Sequence, residues 1–187
     1  MAQKRKNWNG LISGFSASDL VFLDESGCNT DMTRRYAYSF GGSRAVDSTP
    51  LSKPKNTTIL SSIQLNGTLH YTTFSGGTTV ERFKRYLETD LLPHLNGNSV
   101  LIMDNMKSHH ARAVKNLLDN SGIRYIYLPP YSPDLNPIEK LWSKVKAFLR
   151  KFKARTLDAL PNAIQNAFHS VTVSDCSGWF RFCGYAL

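Results

Sequence analysis

Leu128-Pro129-Pro130-Tyr131-Ser132-Pro133-Asp134-Leu135-Asn136-Pro137-Ile138-Glu139-Lys140-Leu141-Trp142 joins the end of an apolar, β-rich run to an amphipathic helix. Prolines at 129, 130 and 133 suit neither a helix interior nor a central strand, so the stretch reads as a fixed connection. Asn136 suits an N-cap and Pro137 the first helical residue, which puts Glu139 at the third helical position with its carboxylate near the helix start. Two readings of Glu139 stand. It either closes a capping box with Asn136, each satisfying the other's backbone N–H, or is an acid aimed by a rigid element.

Working outward, two further acids bear on that choice. Leu20-Val21-Phe22-Leu23 is a continuous apolar run ending in Asp24, and Ser99-Val100-Leu101-Ile102-Met103 is a second ending in Asp104. Both read as strands buried on two faces that deliver an acid at their ends. Glu25 follows Asp24 but faces the other way on a strand, so it is not expected to share a site with it. Asp134 reads as a turn former within the proline stretch.

Between these landmarks, Thr57 to Leu65 and Thr68 to Phe74 flank Asn66-Gly67, the signature of a hairpin. Residues 29 to 55 read as a long surface excursion in which only Tyr36 to Phe40 look strand-like. Helices are expected over Thr78 to Leu95, Ser108 to Asn120, Pro137 to about Phe152, Thr156 to Val171 and Asp175 to Tyr185, with a strand over Ile123 to Leu128. A hairpin followed by alternating helices and strands makes an α/β fold with a mixed sheet flanked by helices. Residues 1–18 are polar and basic and read as a flexible lead or linker remnant; residues 19–187 read as one domain.

Composition narrows the partner. The 187 residues carry 23 Lys and Arg against 14 Asp and Glu, a formal charge of +9, which suits a polyanion such as DNA. Three cysteines without a CxxC pair support neither a disulfide framework nor a zinc ribbon, and fit a reducing cytoplasm. No apolar run is long enough to span a membrane. No phosphate-binding G-x-x-x-x-G-K-[ST] loop occurs, so nucleotide hydrolysis is not expected despite the acidic strand end.

The string from Leu128 to Glu139, with an aromatic at Trp142, resembles the catalytic domain of DDE transposases in the bacterial insertion-sequence branch of the mariner superfamily. The resemblance runs from about Leu20 to the C-terminus. It implies a ribonuclease-H-like fold and a catalytic, metal-binding triad of Asp24, Asp104 and Glu139. Thirty-four residues lie between Asp104 and Glu139, the kind of spacing the superfamily shows. Converging carboxylates repel unless a divalent cation lies between them, and hard oxygen donors suit Mg²⁺ or Mn²⁺, here two ions.

By the same resemblance, the reaction is hydrolysis at transposon ends followed by strand transfer into target DNA. Asn105 and His109 match the family's Asp-Asn-x-x-x-His pattern as second-shell or substrate contacts, although His109 equally reads as an early helix residue bonding locally. Lys140, Lys144 and Lys146 are expected on the DNA side of the helix. The recognition modules usual ahead of such a domain do not fit before Asp24, so an upstream helix-turn-helix segment or frameshift partner is expected, with a possible homodimer on DNA and a bacterial, nucleoid-associated setting. A ribonuclease-H-like nuclease and a catalytically silent DNA-binding remnant remain alternatives.

Overall fold

The computed structural model describes residues 2–34, 36–51 and 54–185. Five strands form one sheet: β1 (Leu20–Cys28), β2 (Thr57–Gln64), β3 (Leu69–Ser75), β4 (Val100–Met103) and β5 (Arg124–Tyr127), in the spatial order β3-β2-β1-β4-β5. β1, β2 and β3 pair antiparallel, whereas β4 lies parallel to both β1 and β5. The Asn66-Gly67 hairpin forms as expected. Gly67 sits at φ 87°, where a side chain would be strained and would press on Val173.

Alternation along the strands divides the core into two layers. Leu20 and Phe22 of β1, with Val100 and Ile102 of β4, face α4 (Ile138–Phe152), α5 (Leu160–His169) and α6 (Val173–Phe182). Val21, Leu23, Leu101 and Met103 face α2 (Val80–Tyr86) and α3 (Arg112–Ser121) on the other side. This parity positions the acids. Phe22 pairs with Ile102 and Leu23 with Met103, so the next residues, Asp24 and Asp104, emerge side by side on the layer that holds α4.

Four local expectations change. An eleven-residue helix, α1 (Ala2–Ile12), occupies what reads as a flexible lead, and Trp8 joins the α4 layer of the core at 3% exposure. Tyr36 to Phe40 make no strand: the described residues there lie in the open with no strand edge to pair with, and Arg35 is outside the described residues. The excursion is tied down from its far side by the Arg155 guanidinium, which donates to the carbonyls of Thr30, Met32 and Ser48.

α3 starts at Arg112 rather than Ser108, because the Asp104 carboxylate takes the Met106 N–H at 3.0 Å and holds the chain in turns first. Finally, Asn136 is extended and Pro137 is helical, as a cap would require, but the Asn136 side chain bonds no backbone N–H; its Oδ1 is buried without a partner. The capping box is not made. Glu139 is left exposed in the first turn of α4.

Candidate active site

Asp24, Asp104 and Glu139 border the same two adjoining grooves. One, of about 450 Å³, is walled by the proline stretch from Leu128 to Pro133 together with Asn105, Met106 and Asn136. The other, of about 460 Å³, runs past Glu25, Ser26, Thr58, Thr78, Trp142 and Lys146. The elements that aim these acids are the middle of β1, the end of β4 and the start of α4. β1 runs past the expected end at Asp24 to Cys28 because it stays paired with β2. The parallel β1–β4 ladder stops at Leu23 and Met103, and its register brings the first two acids together.

Asp24 is 8% exposed. Its Oδ1 accepts the Glu25 N–H at 2.7 Å and its Oδ2 accepts the indole N–H of Trp142 at 3.2 Å. Burial pushes the carboxyl up to about 7, and repulsion from Asp104 and Glu139 adds to the rise, against the downward pull of the two N–H donors. Asp104 shows the opposite balance. Burial would raise it, but the hydrogen bond from His109, the Met106 N–H and the charges of His109 and His110 hold it below the usual carboxylate range.

His109 is fully buried and its Nδ1 stands 2.8 Å from Asp104 Oδ1, so that nitrogen carries the donated proton. Its ring stacks on Phe83 at 4.2 Å, which fixes its plane. It therefore orients the second acid rather than bonding along its own helix. Asn105 donates from its amide to the Leu128 carbonyl and receives His110 at 3.3 Å, tying the end of β4 to the start of the proline stretch. Both residues sit against the site by way of the backbone or Asp104.

Of the lysines expected at the DNA, only Lys146 lines a groove with the acids. Lys144 is paired with Asp175 at 2.5 Å, and Lys140 lies 3.8 Å over the Phe182 ring, so both are turned toward α6. Strand alternation turns Glu25 from Asp24, and it accepts from the Thr78 hydroxyl, yet both Glu25 and Thr78 line the second groove with the three acids. Trp142 is the functional neighbour that sequence reasoning took only as core. The available signal was its position three residues after Glu139, which places the two side chains on one face of the helix.

The donor set is all oxygen and suits a hard dication, and the charged groups that act on Asp24 are Asp104 and Glu139, two more carboxylates. Among the described residues, however, no three His, Cys, Asp or Glu side chains already stand together as a cage for an ion. The acids fit the group as an open site. Each of Asp24 and Asp104 spends acceptor capacity on protein N–H groups and keeps lone pairs for other partners.

Residues 19–161 match the family model described as DDE superfamily endonuclease. A stretch of 97 residues is 28% identical to the Transposable element Tc1 transposase of Caenorhabditis elegans, covering 50% of this chain and 36% of that protein. The fold superposes on a pre-cleavage Mos1 transpososome with a TM-score of 0.80 at 20% identity, over 95% of this chain and 58% of the other. It also superposes on the catalytic domain of Mos1 mariner transposase with a TM-score of 0.73 at 17% identity, over 96% and 85%.

The ribonuclease-H-like α/β architecture is thus the one found. The branch is not. Tc1 and Mos1 place the likeness in the mariner/Tc1 branch, which corrects the expected bacterial insertion-sequence branch. The nucleoid setting rested on that branch. Among the described residues no helix is long and apolar enough to cross a membrane.

Proposed function

The chain belongs to the DDE superfamily endonuclease family, and on that premise we propose that it carries the DNA-cutting and strand-joining site of a transposase, with Asp24, Asp104 and Glu139 as its catalytic acids. The observation that carries the reading is the shared lining: carboxylates from the middle of β1, the end of β4 and the start of α4 border the same two grooves. Solved Mos1 catalytic-domain structures are described with Mg and with Mn, which supports a divalent ion here, and two such ions are part of the proposal. Bound there, a divalent ion supplies Lewis acidity at a phosphodiester and lowers the pKa of an attacking water or hydroxyl.

The chain's own residues do the positioning. Trp142 and the Glu25 N–H each bond one oxygen of Asp24 and so fix the rotation of its carboxylate. His109 and the Met106 N–H both bond Asp104 Oδ1 and fix that carboxylate from one side. Glu139, exposed on the first turn of α4, closes the third side. Lys146, on the wall of the second groove, offers a cation to a backbone phosphate. In the hydrolytic step a water oxygen attacks phosphorus and the P–O3′ bond breaks, leaving a 3′-hydroxyl and a 5′-phosphate. In the joining step that hydroxyl attacks a phosphodiester of the target, whose own 3′-oxygen leaves as a hydroxyl, so neither step needs a covalent protein–DNA bond.

The chain spans 58% of the Mos1 protein in the transpososome. In this reading a separate helix-turn-helix segment or frameshift partner recognises transposon ends, and two copies assemble on DNA, as the Mos1 paired end complex suggests. The test is strand cleavage on plasmid and on end-bearing duplexes with Mg²⁺ or Mn²⁺, compared with EDTA. Cleavage by the wild type that stops in EDTA and in Asp104→Ala is expected. Cleavage that survives either change overturns the assignment.

A further inference from the structure

At the far end of α4 from the acids, Arg34, Tyr36, Asp47, Lys151 and Lys153 line a crevice of about 540 Å³ between the helix and the excursion of residues 29 to 55. Its three cations outnumber its one carboxylate. Among the described residues, neither Arg34 nor Lys151 has an acid within ion-pair distance.

The one carboxylate is held as a bound anion would be. Asp47 Oδ1 accepts from the Lys153 ammonium at 2.6 Å and the Ser48 N–H at 2.9 Å, and Oδ2 accepts from the Thr33 hydroxyl at 2.7 Å. These donors, Lys153 first, hold its carboxyl down to about 2 even though it is exposed. Lys153 itself stands at φ 56°, a left-handed position that glycine or asparagine fills at less cost, so ending α4 does not call for a lysine there. Nor does the excursion depend on Asp47 for its anchorage. Arg155 holds the carbonyls of Thr30, Met32 and Ser48, so the carboxylate can leave Lys153 with the rim still tied down.

Resting on the DNA-cutting reading above, we propose that this crevice is a phosphate site for the DNA backbone away from the acids, and that Asp47 occupies it until a phosphate displaces the carboxylate from Lys153. Lys153 follows Lys146 by seven residues, a rise of about 10 Å along α4 and roughly that of three base pairs of duplex. Arg150, one turn beyond Lys146, shares its face of the helix. Two anchors at that separation align the backbone with α4. An exposed carboxylate–ammonium pair is worth little, whereas a phosphate gains Arg34 and Lys151 as well, so the exchange favours DNA.

The experiment measures binding of a fluorescent duplex by anisotropy across a salt series, with Ca²⁺ in place of Mg²⁺ so that strands stay whole, and each variant's fold by thermal melting. Lys151→Gln and Lys153→Asn are each expected to weaken binding at least threefold and to make the slope of log affinity against log salt shallower by about one, the loss of one phosphate contact. Asp47→Asn is expected to tighten binding at least threefold. Glu88→Gln makes the same charge change in another exposed ion pair, with Lys84, and is expected to tighten it less than twofold. In the Lys153→Asn background, Asp47→Asn should do no more than Glu88→Gln does, because the competition needs both groups.

Asp47→Asn that tightens binding no more than Glu88→Gln, or a salt slope unchanged in both lysine variants, overturns the phosphate site and leaves the acids' assignment intact. Failure of the wild type to bind the duplex overturns the DNA-cutting reading, and the phosphate site with it.

Discussion

Asp24 and Asp104 each follow a pair of neighbouring strand residues in register, Leu23 and Met103, yet their surroundings treat the two charges in opposite ways. Asp104 has its own counter-group: His109, buried and stacked on Phe83, lowers it. Asp24 is more deeply buried, and the charged groups that act on it are two more carboxylates, so its carboxyl rises to about 7. One acid is balanced by the protein. The other is left to be balanced from outside, which is the role a divalent cation fills.

The comparison is open to direct attack through stability in EDTA. Asp104→Asn keeps an acceptor oxygen but gives up the charge in a partly exposed hydrogen-bond network, and is expected to lose about 1 kcal/mol at pH 8. Asp24→Asn is expected to melt at or above wild type at pH 8, because it removes a buried charge. The sign follows from linkage. Asp24 is raised, so its contribution is fully present below its unfolded value of 3.8 and is lost as pH rises through about 7. Asp104 is lowered, so its contribution is present above 3.8 and lost as pH falls through its folded value. Wild type should therefore lose stability relative to Asp24→Asn between about pH 4 and 7, as thermal melting would register. Equal losses in both variants at pH 8 would remove the contrast.

Trp142→Phe sharpens it. Phenylalanine keeps the ring in the core but not the indole N–H on Asp24 Oδ2. Stability should fall by about 1 kcal/mol. Metal affinity should fall by roughly 10–100-fold, the usual effect of removing a group that orients a ligand. Isothermal titration with Mn²⁺ measures the second quantity, and an unchanged affinity would mean that Trp142 is core alone.

Asn136→Ala should have the smallest effect. Removing a working N-cap costs about 0.5–2 kcal/mol, but Asn136 makes no such bond. Melting near wild type is expected, and a loss in the capping range would restore the capping box.

These residues also mark where sequence was enough. Apolar runs ending in Asp24 and Asp104 announce buried strands and their acids, and strand parity separates Asp24 from Glu25 before any contact is known. Asn66-Gly67 announces its hairpin through local backbone chemistry. What stayed hidden depends on tertiary packing. The helix at Ala2–Ile12 has little apolar periodicity of its own and is anchored through Trp8. Lys140 and Lys144 share a helix with Lys146, but only the position of α6 shows that two of the three are turned from the groove. The Trp142 bond joins residues 118 positions apart. Asn136 has the sequence and backbone of a cap and still makes none.

The central claim is that Asp24, Asp104 and Glu139 bind divalent metal together. Its most direct test is the electron paramagnetic resonance signal of free Mn²⁺ during titration of wild type, Asp24→Asn, Asp104→Asn and Glu139→Gln, each checked for folding by circular dichroism. Binding by wild type that weakens at least tenfold in every variant, with the fold retained, is the predicted result. Equal Mn²⁺ uptake by wild type and all three variants would contradict it.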